Sequence, residues 1–137
     1  GKSRGTFGKL FIAKRFKILN PSASKDDINF EEKRFLRAGV VICILSSPVP
    51  HNKIPEWEMQ LSSAAVCQNM LICAQSLGYA AQWVTEWYSY DEVIIKELGN
   101  NPNDRISGFI YIGKKEMEPK ERIRPEVSKV VSFWGES

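Results

Sequence analysis

The stretch "SLGYAAQWVTEW", residues 76–87, decides how this chain folds. Before it runs "IPEWEMQLSSAAVCQNMLICAQ", residues 54–75, apolar or small nearly all round from Ala64 onward. A helix of that composition has no face suited to water and belongs in a domain centre or a subunit interface. Pro55 suits its first turn and Gly78 its C-terminal stop, which predicts a buried helix over 56–77. Two alanines, Ala80 and Ala81, stand just beyond the glycine, and "AQWVT", residues 81–85, reads as a short strand carrying Trp83. Such a junction is either a buried helix-to-strand corner or a place where a flat ring lies against backbone. For Trp83 the residues alone leave both readings open.

Working outward, "VVICILSS" (40–47) and "RISGFIYIG" (105–113) are continuous, β-branched apolar runs. They predict two interior strands of one sheet, buried on both faces. "NPSASKDD" (20–27) is a turn followed by a capping-box pattern, Ser24 with Asp27, which predicts a helix over about 25–38 that stops near Gly39. "SYDE" (89–92) repeats the pattern with Ser89 and Glu92 and starts a helix that ends at Leu98 and Gly99. "NNPND" (100–104) is a turn. Residues 1–19 hold Lys2, Arg4, Lys9, Lys14, Arg15 and Lys17 and no acid, with Phe7, Leu10, Phe11 and Leu19 near one helical face. Residues 114–137 are polar, contain Pro119 and Pro125, and end on "VVSFW", the pattern of a tail that wraps a neighbouring surface. No repeat or linker divides the chain, so 1–137 reads as one domain.

Composition narrows the function classes. A net charge of +3 supplies no field that demands nucleic acid, and no apolar run reaches membrane-spanning length. The three cysteines, Cys43, Cys67 and Cys73, sit in apolar runs without framework or metal-ligand spacing. They read as reduced, buried thiols of a cytoplasmic protein. His51, the one histidine, lies on a Pro-flanked loop with nothing resembling a nucleophile elbow near it, and reads as an exposed loop residue.

The order of these features carries a resemblance. "KIPEWE" (53–58), a small-residue helix ending in "LGY", the "WVT" strand, a short capped helix, "ISGFIYIG" and an arginine-bearing tail follow one another as in the FMN-dependent nitroreductase family. The chain is most similar to the small NAD(P)H nitroreductase subgroup. That resemblance implies an α+β sheet flanked by helices, built as an intertwined homodimer with FMN at its interface. It implies that Trp83, Val84 and Thr85, with a backbone contact from Glu86, lie beside the flavin ring. Backbone donors are needed there because a reduced flavin gathers negative charge. It assigns Cys73, Ala74, Gln75, Ser76, Leu77 and Gly78 to the nicotinamide cofactor, and Arg122 and Arg124 to the FMN phosphate, which guanidinium groups hold bidentately. The other reading of the two arginines is a pair of solvated charges. The implied reaction is hydride transfer from NAD(P)H through FMN to a small nitro or quinone-like acceptor, with no catalytic side chain.

The sequence also departs from the family. The Arg-Arg-Ser helix start and the Pro-Ser-x-x-x-Gln-Pro-Trp segment have no counterpart, and "NPSAS" (20–24) echoes the latter only in the wrong place. The domain is therefore expected to be N-terminally incomplete, whether because the sequence starts late, the gene is a fragment, or the protein has diverged. A non-enzymatic interaction domain, or a fragment that no longer holds FMN, is the competing expectation.

Overall fold

The computed structural model describes residues 2–135; Gly1, Glu136, Ser137 and the side chain of Lys2, one of the N-terminal cations above, lie outside the described residues. The N-terminal helix is continuous but not uniform. α1 (Lys2–Phe7) widens into a π-helical stretch, Gly8–Ala13, and resumes as α2 (Lys14–Leu19). The wide turn changes which side chains point inward. Ile12 and Ala13 face the core, while Leu10 and Leu19, expected on the apolar face, are exposed.

α3 (Lys25–Glu32) starts where the capping box predicts it, with Ser24 and Asp27 bonding each other's backbone N–H. It stops short of residue 38 and gives way to a 3-10 turn at Arg34–Leu36. β1 (Val40–Ser46) and α4 (Glu56–Ser76) come next. α4 closes on Gly78 at φ +80°, with Gly78 N–H bonded to Gln75 O and Tyr79 N–H to Ala74 O. Both bonds satisfy carbonyls of the last turn, and the left-handed residue that allows them is the glycine. β2 (Ala80–Val84) leaves at once. α5 (Glu92–Leu98) is capped by Asp91, which accepts from Val93 N–H and Ile94 N–H, rather than by the predicted Ser89. Ser89 belongs to the preceding 3-10 turn and is buried. β3 (Arg105–Gly113) completes the sheet.

The sheet is antiparallel in the order β1-β3-β2, so β3 is interior as expected and β1 is an edge strand among the described residues. A continuous apolar run does not distinguish the two positions, because burial of the faces says nothing about the edges. α4 packs on one face of the sheet. Ser63 Oγ and Ser107 Oγ lie 2.6 Å apart across that contact. The other face holds the aromatic core of Phe35, Tyr88 and Phe109, packed with Ile12, Ile94 and Ile106. α4 itself is not buried as predicted. Cys67 and Ala74 are its buried residues, and Trp57, Leu61, Val66 and Ile72 stand exposed.

Candidate functional site

On the aromatic face, against β2, lies an open cleft of about 770 Å³. Ala80, Gln82 and Val84 alternate along β2 toward it, and Tyr88 and Tyr111 form its aromatic floor. Tyr88 Oη and Tyr111 Oη are 3.2 Å apart. Burial, then the bond with Tyr111, pushes the Tyr88 phenol well above its ordinary pKa, so it stays protonated. Arg34, Arg37, Lys114, Lys115, Glu116 and Met117 also line the cleft.

The residues singled out from sequence divide into groups. Val84 and Glu86 line the cleft. Trp83 pairs with Ile110, one residue out of phase with Val84, so its indole lies on the α4 face. There Nε1 donates to Ser107 O at 2.9 Å, and the ring lies so close over Gly108 that a Cβ would run into it. The Trp83 side chain is thus a packing element, and only its backbone runs with the cleft-side strand. Thr85 is half-buried and sits just past the ladder.

Cys73, Ala74, Gln75, Ser76, Leu77 and Gly78 form the last turn and cap of α4, directly ahead of cleft-lining Ala80. All but Ala74 are exposed, including the Cys73 thiol, which the sequence had placed inside. Arg122 and Arg124 are not brought to the cleft. They lie in an exposed, irregular segment, and Arg124 pairs with Glu121 at 2.9 Å. Cys43 is no nucleophile: burial, then the neighbouring Cys67, pushes its thiol up to about 12. His51 is exposed, and its Nδ1 accepts from Lys53 N–H and Ile54 N–H within its own loop. No group of acids, histidines and cysteines among the described residues could hold a metal ion.

The sequence did not reveal an ionic chain under the cleft. Buried Glu31 takes Arg34 bidentately, Nη2 to Oε1 at 2.7 Å and Nε to Oε2, and also accepts from the Trp87 indole N–H at 3.1 Å. The remaining nitrogen, Arg34 Nη1, reaches Glu86 Oε1 at 3.1 Å. Burial alone would discourage the Arg34 charge, but the bond to Glu31 and the charges of Glu31 and Glu86 outweigh it, and its pKa is raised. A Glu–Arg pair three apart in "EEKR" was visible in the sequence, but such pairs are common on solvated helices.

Glu86 is also the one non-glycine at positive φ among the described residues, at +30°. A side chain held there stores about 1–3 kcal/mol of backbone strain. Glu86→Gly is therefore expected to raise the unfolding free energy by about 1 kcal/mol, after loss of the partly exposed pair with Arg34. A higher urea midpoint at unchanged slope would show it, and a lower midpoint would contradict it.

With this geometry in view, comparison with known proteins identifies the class. Residues 12–114 match the nitroreductase family, and the chain belongs to that family. The "Putative NAD(P)H nitroreductase YdjA" of Escherichia coli is 23% identical over 116 residues, covering 82% of this chain. The chain spans 63% of that relative's length. Among solved structures, a nitroreductase-like family protein from Bacillus cereus superposes with a TM-score of 0.72 at 19% identity, covering 99% of this chain and 70% of that one. CLA-ER, described as an enone reductase of gut-bacterial fatty acid saturation, gives a TM-score of 0.53 at 19% identity over 98% of this chain and 58% of its own. These likenesses establish the fold: an α+β unit with a three-stranded antiparallel sheet that matches part of the nitroreductase-like chains. No helix among the described residues is long and apolar enough to cross a membrane.

Proposed function

We propose that this protein is an FMN-dependent NAD(P)H oxidoreductase of nitroreductase type, and that the cleft beside β2 is its flavin site. The observation that carries this reading is the cleft itself. It has the size of a small-molecule site, presents small and apolar residues from an edge strand, and has four cationic side chains in its lining. Those residues fit FMN. Ala80 and Val84 leave room beside the strand for a flat ring, which Tyr88 and Tyr111 would help to hold. Backbone N–H groups of Trp83, Val84, Thr85 and Glu86 would serve as fixed donors that favour added negative charge. The chemistry that FMN supplies when bound is hydride transfer from NAD(P)H to a nitro or quinone-like acceptor. The chain's own residues bind and orient the ring, and no side chain is assigned as acid or base.

Residues Cys73–Gly78 are proposed to contact NAD(P)H, because the exposed helix end leads within two residues into cleft-lining Ala80. Arg122 and Arg124 are proposed to hold the FMN phosphate from the tail of a second copy in an intertwined homodimer. Two features support this assembly. Trp57 is 65% exposed and Ile72 55% on α4, more apolar surface than a lone chain readily leaves in water. Ile123 and Trp134 are fully exposed on the tail, as anchors without a seat in their own chain.

The test is cofactor uptake followed by turnover. Purified protein incubated with FMN and desalted should retain a visible flavin absorbance band, and should then oxidise NADH or NADPH in the presence of a nitroaromatic or quinone. Protein that comes through desalting colourless after incubation with excess FMN would sink the reading.

A further inference from the structure

We propose that Arg34 is a positioning residue for the cleft: clamped by Glu31, it holds Glu86 in its left-handed conformation and offsets part of the carboxylate charge beside the ring-side strand, so that FMN bound there is easier to reduce than it would be without Arg34. This rests on the flavin reading above.

The guanidinium is fully committed. Nε and Nη2 are taken by Glu31, and Nη1 points at Glu86. Glu31 is 3% exposed and is itself fixed by the Trp87 indole, so the fork has one orientation. The rings of Phe30 and Tyr88 flank it, with centroids 5.2 Å and 5.7 Å from Cζ. Glu86 comes just after the strand that runs along the cleft, and its carboxylate remains partly open to it. A strained backbone persists only where its surroundings over-determine it, and the ion pair with Arg34 is the side-chain tie on Glu86 that the structure provides. Without Arg34, two carboxylates would face each other under the cleft with no cation between them. Negative charge added to a nearby ring would then be opposed rather than balanced.

The test is a charge cycle on the whole protein, read as the midpoint potential of bound FMN and the Kd values for its oxidised and reduced forms. Arg34→Met should weaken binding of reduced FMN relative to oxidised FMN about tenfold, the effect of one charge-assisted bond, and so lower the potential. Adding Glu86→Gln to that variant should restore most of the ratio. A merely structural role for Arg34 gives no such restoration, and an unchanged ratio in Arg34→Met overturns the proposal.

Arg34→Lys carries the test if Arg34→Met does not fold, because it keeps a charge beside Glu31 but lacks the second arm. It should lower the potential in the same direction, and no shift there also overturns the proposal. In the FMN-free protein, Arg34→Lys should move the amide resonances of Thr85 and Glu86 while leaving those of β1 in place. If the unmodified protein takes up no FMN, the flavin reading fails on its own. The positioning role is then judged on these resonances, and unmoved Thr85 and Glu86 amides overturn it.

Discussion

Replacing Glu31 with alanine is expected to destabilise the protein by about 3–5 kcal/mol, the cost of breaking a buried ion pair, with Arg34 left only its single ion-pair contact to Glu86 among the described residues. The Glu31 side chain is 4% exposed and that of Arg34 12%, so water cannot take over the missing bonds. The Trp87 indole N–H also loses its acceptor. Glu31→Gln keeps an oxygen for that indole and one for the guanidinium, and should cost about 1–3 kcal/mol. Urea unfolding followed by tryptophan fluorescence would separate the two variants. Equal stability of Glu31→Ala and the unmodified protein would mean that the chain Glu31–Arg34–Glu86 does not hold the cleft wall.

A loss of similar size is expected at Phe35, for a different reason. Its ring meets Phe7, Tyr88 and Phe109 at centroid distances of 5.4, 5.2 and 5.1 Å and is 3% exposed. Phe35→Ala removes that ring from the middle of the aromatic core and should cost about 3–5 kcal/mol, mostly as an unfilled cavity. Phe35→Leu, which refills much of the volume, should cost less than half as much. Because Tyr88 and Tyr111 rest on Phe35 and form the cleft floor, FMN affinity should fall in Phe35→Ala even where the protein remains folded. A calorimetric Tm within a degree of the parent would contradict the packing described here.

These two residues also show what the sequence could and could not reveal. Features set by a few adjacent residues were legible: the Ser24–Asp27 capping box, the Gly78 stop of α4, and the extent of β3 all arise from local chemistry. Where two local solutions competed, the sequence was ambiguous. Asp91 lies next to α5 and caps it, so Ser89 is free to enter the core. The π-helical stretch at Gly8–Ala13 changes which residues face inward, and a 3.6-residue period cannot anticipate that. β1 at an edge and exposed apolar residues on α4 depend on which elements pack beside each, and a periodic pattern does not contain that. The family resemblance assigned residues 83–86 to a flavin ring as one segment, and did not separate the Trp83 indole, turned to α4, from the Val84 side chain in the cleft. The link from Arg34 to Glu86 joins residues far apart in sequence, and only the folded chain reveals it.

The central claim is that FMN binds against the cleft face of β2. Its most direct test is the change in backbone amide resonances when FMN is added to isotopically labelled protein. The account predicts that the largest shifts fall on Trp83, Val84, Thr85 and Glu86 and on the Tyr111 strand opposite, with little change along β1. Saturable FMN binding that leaves the amides of residues 83–86 unmoved would contradict it.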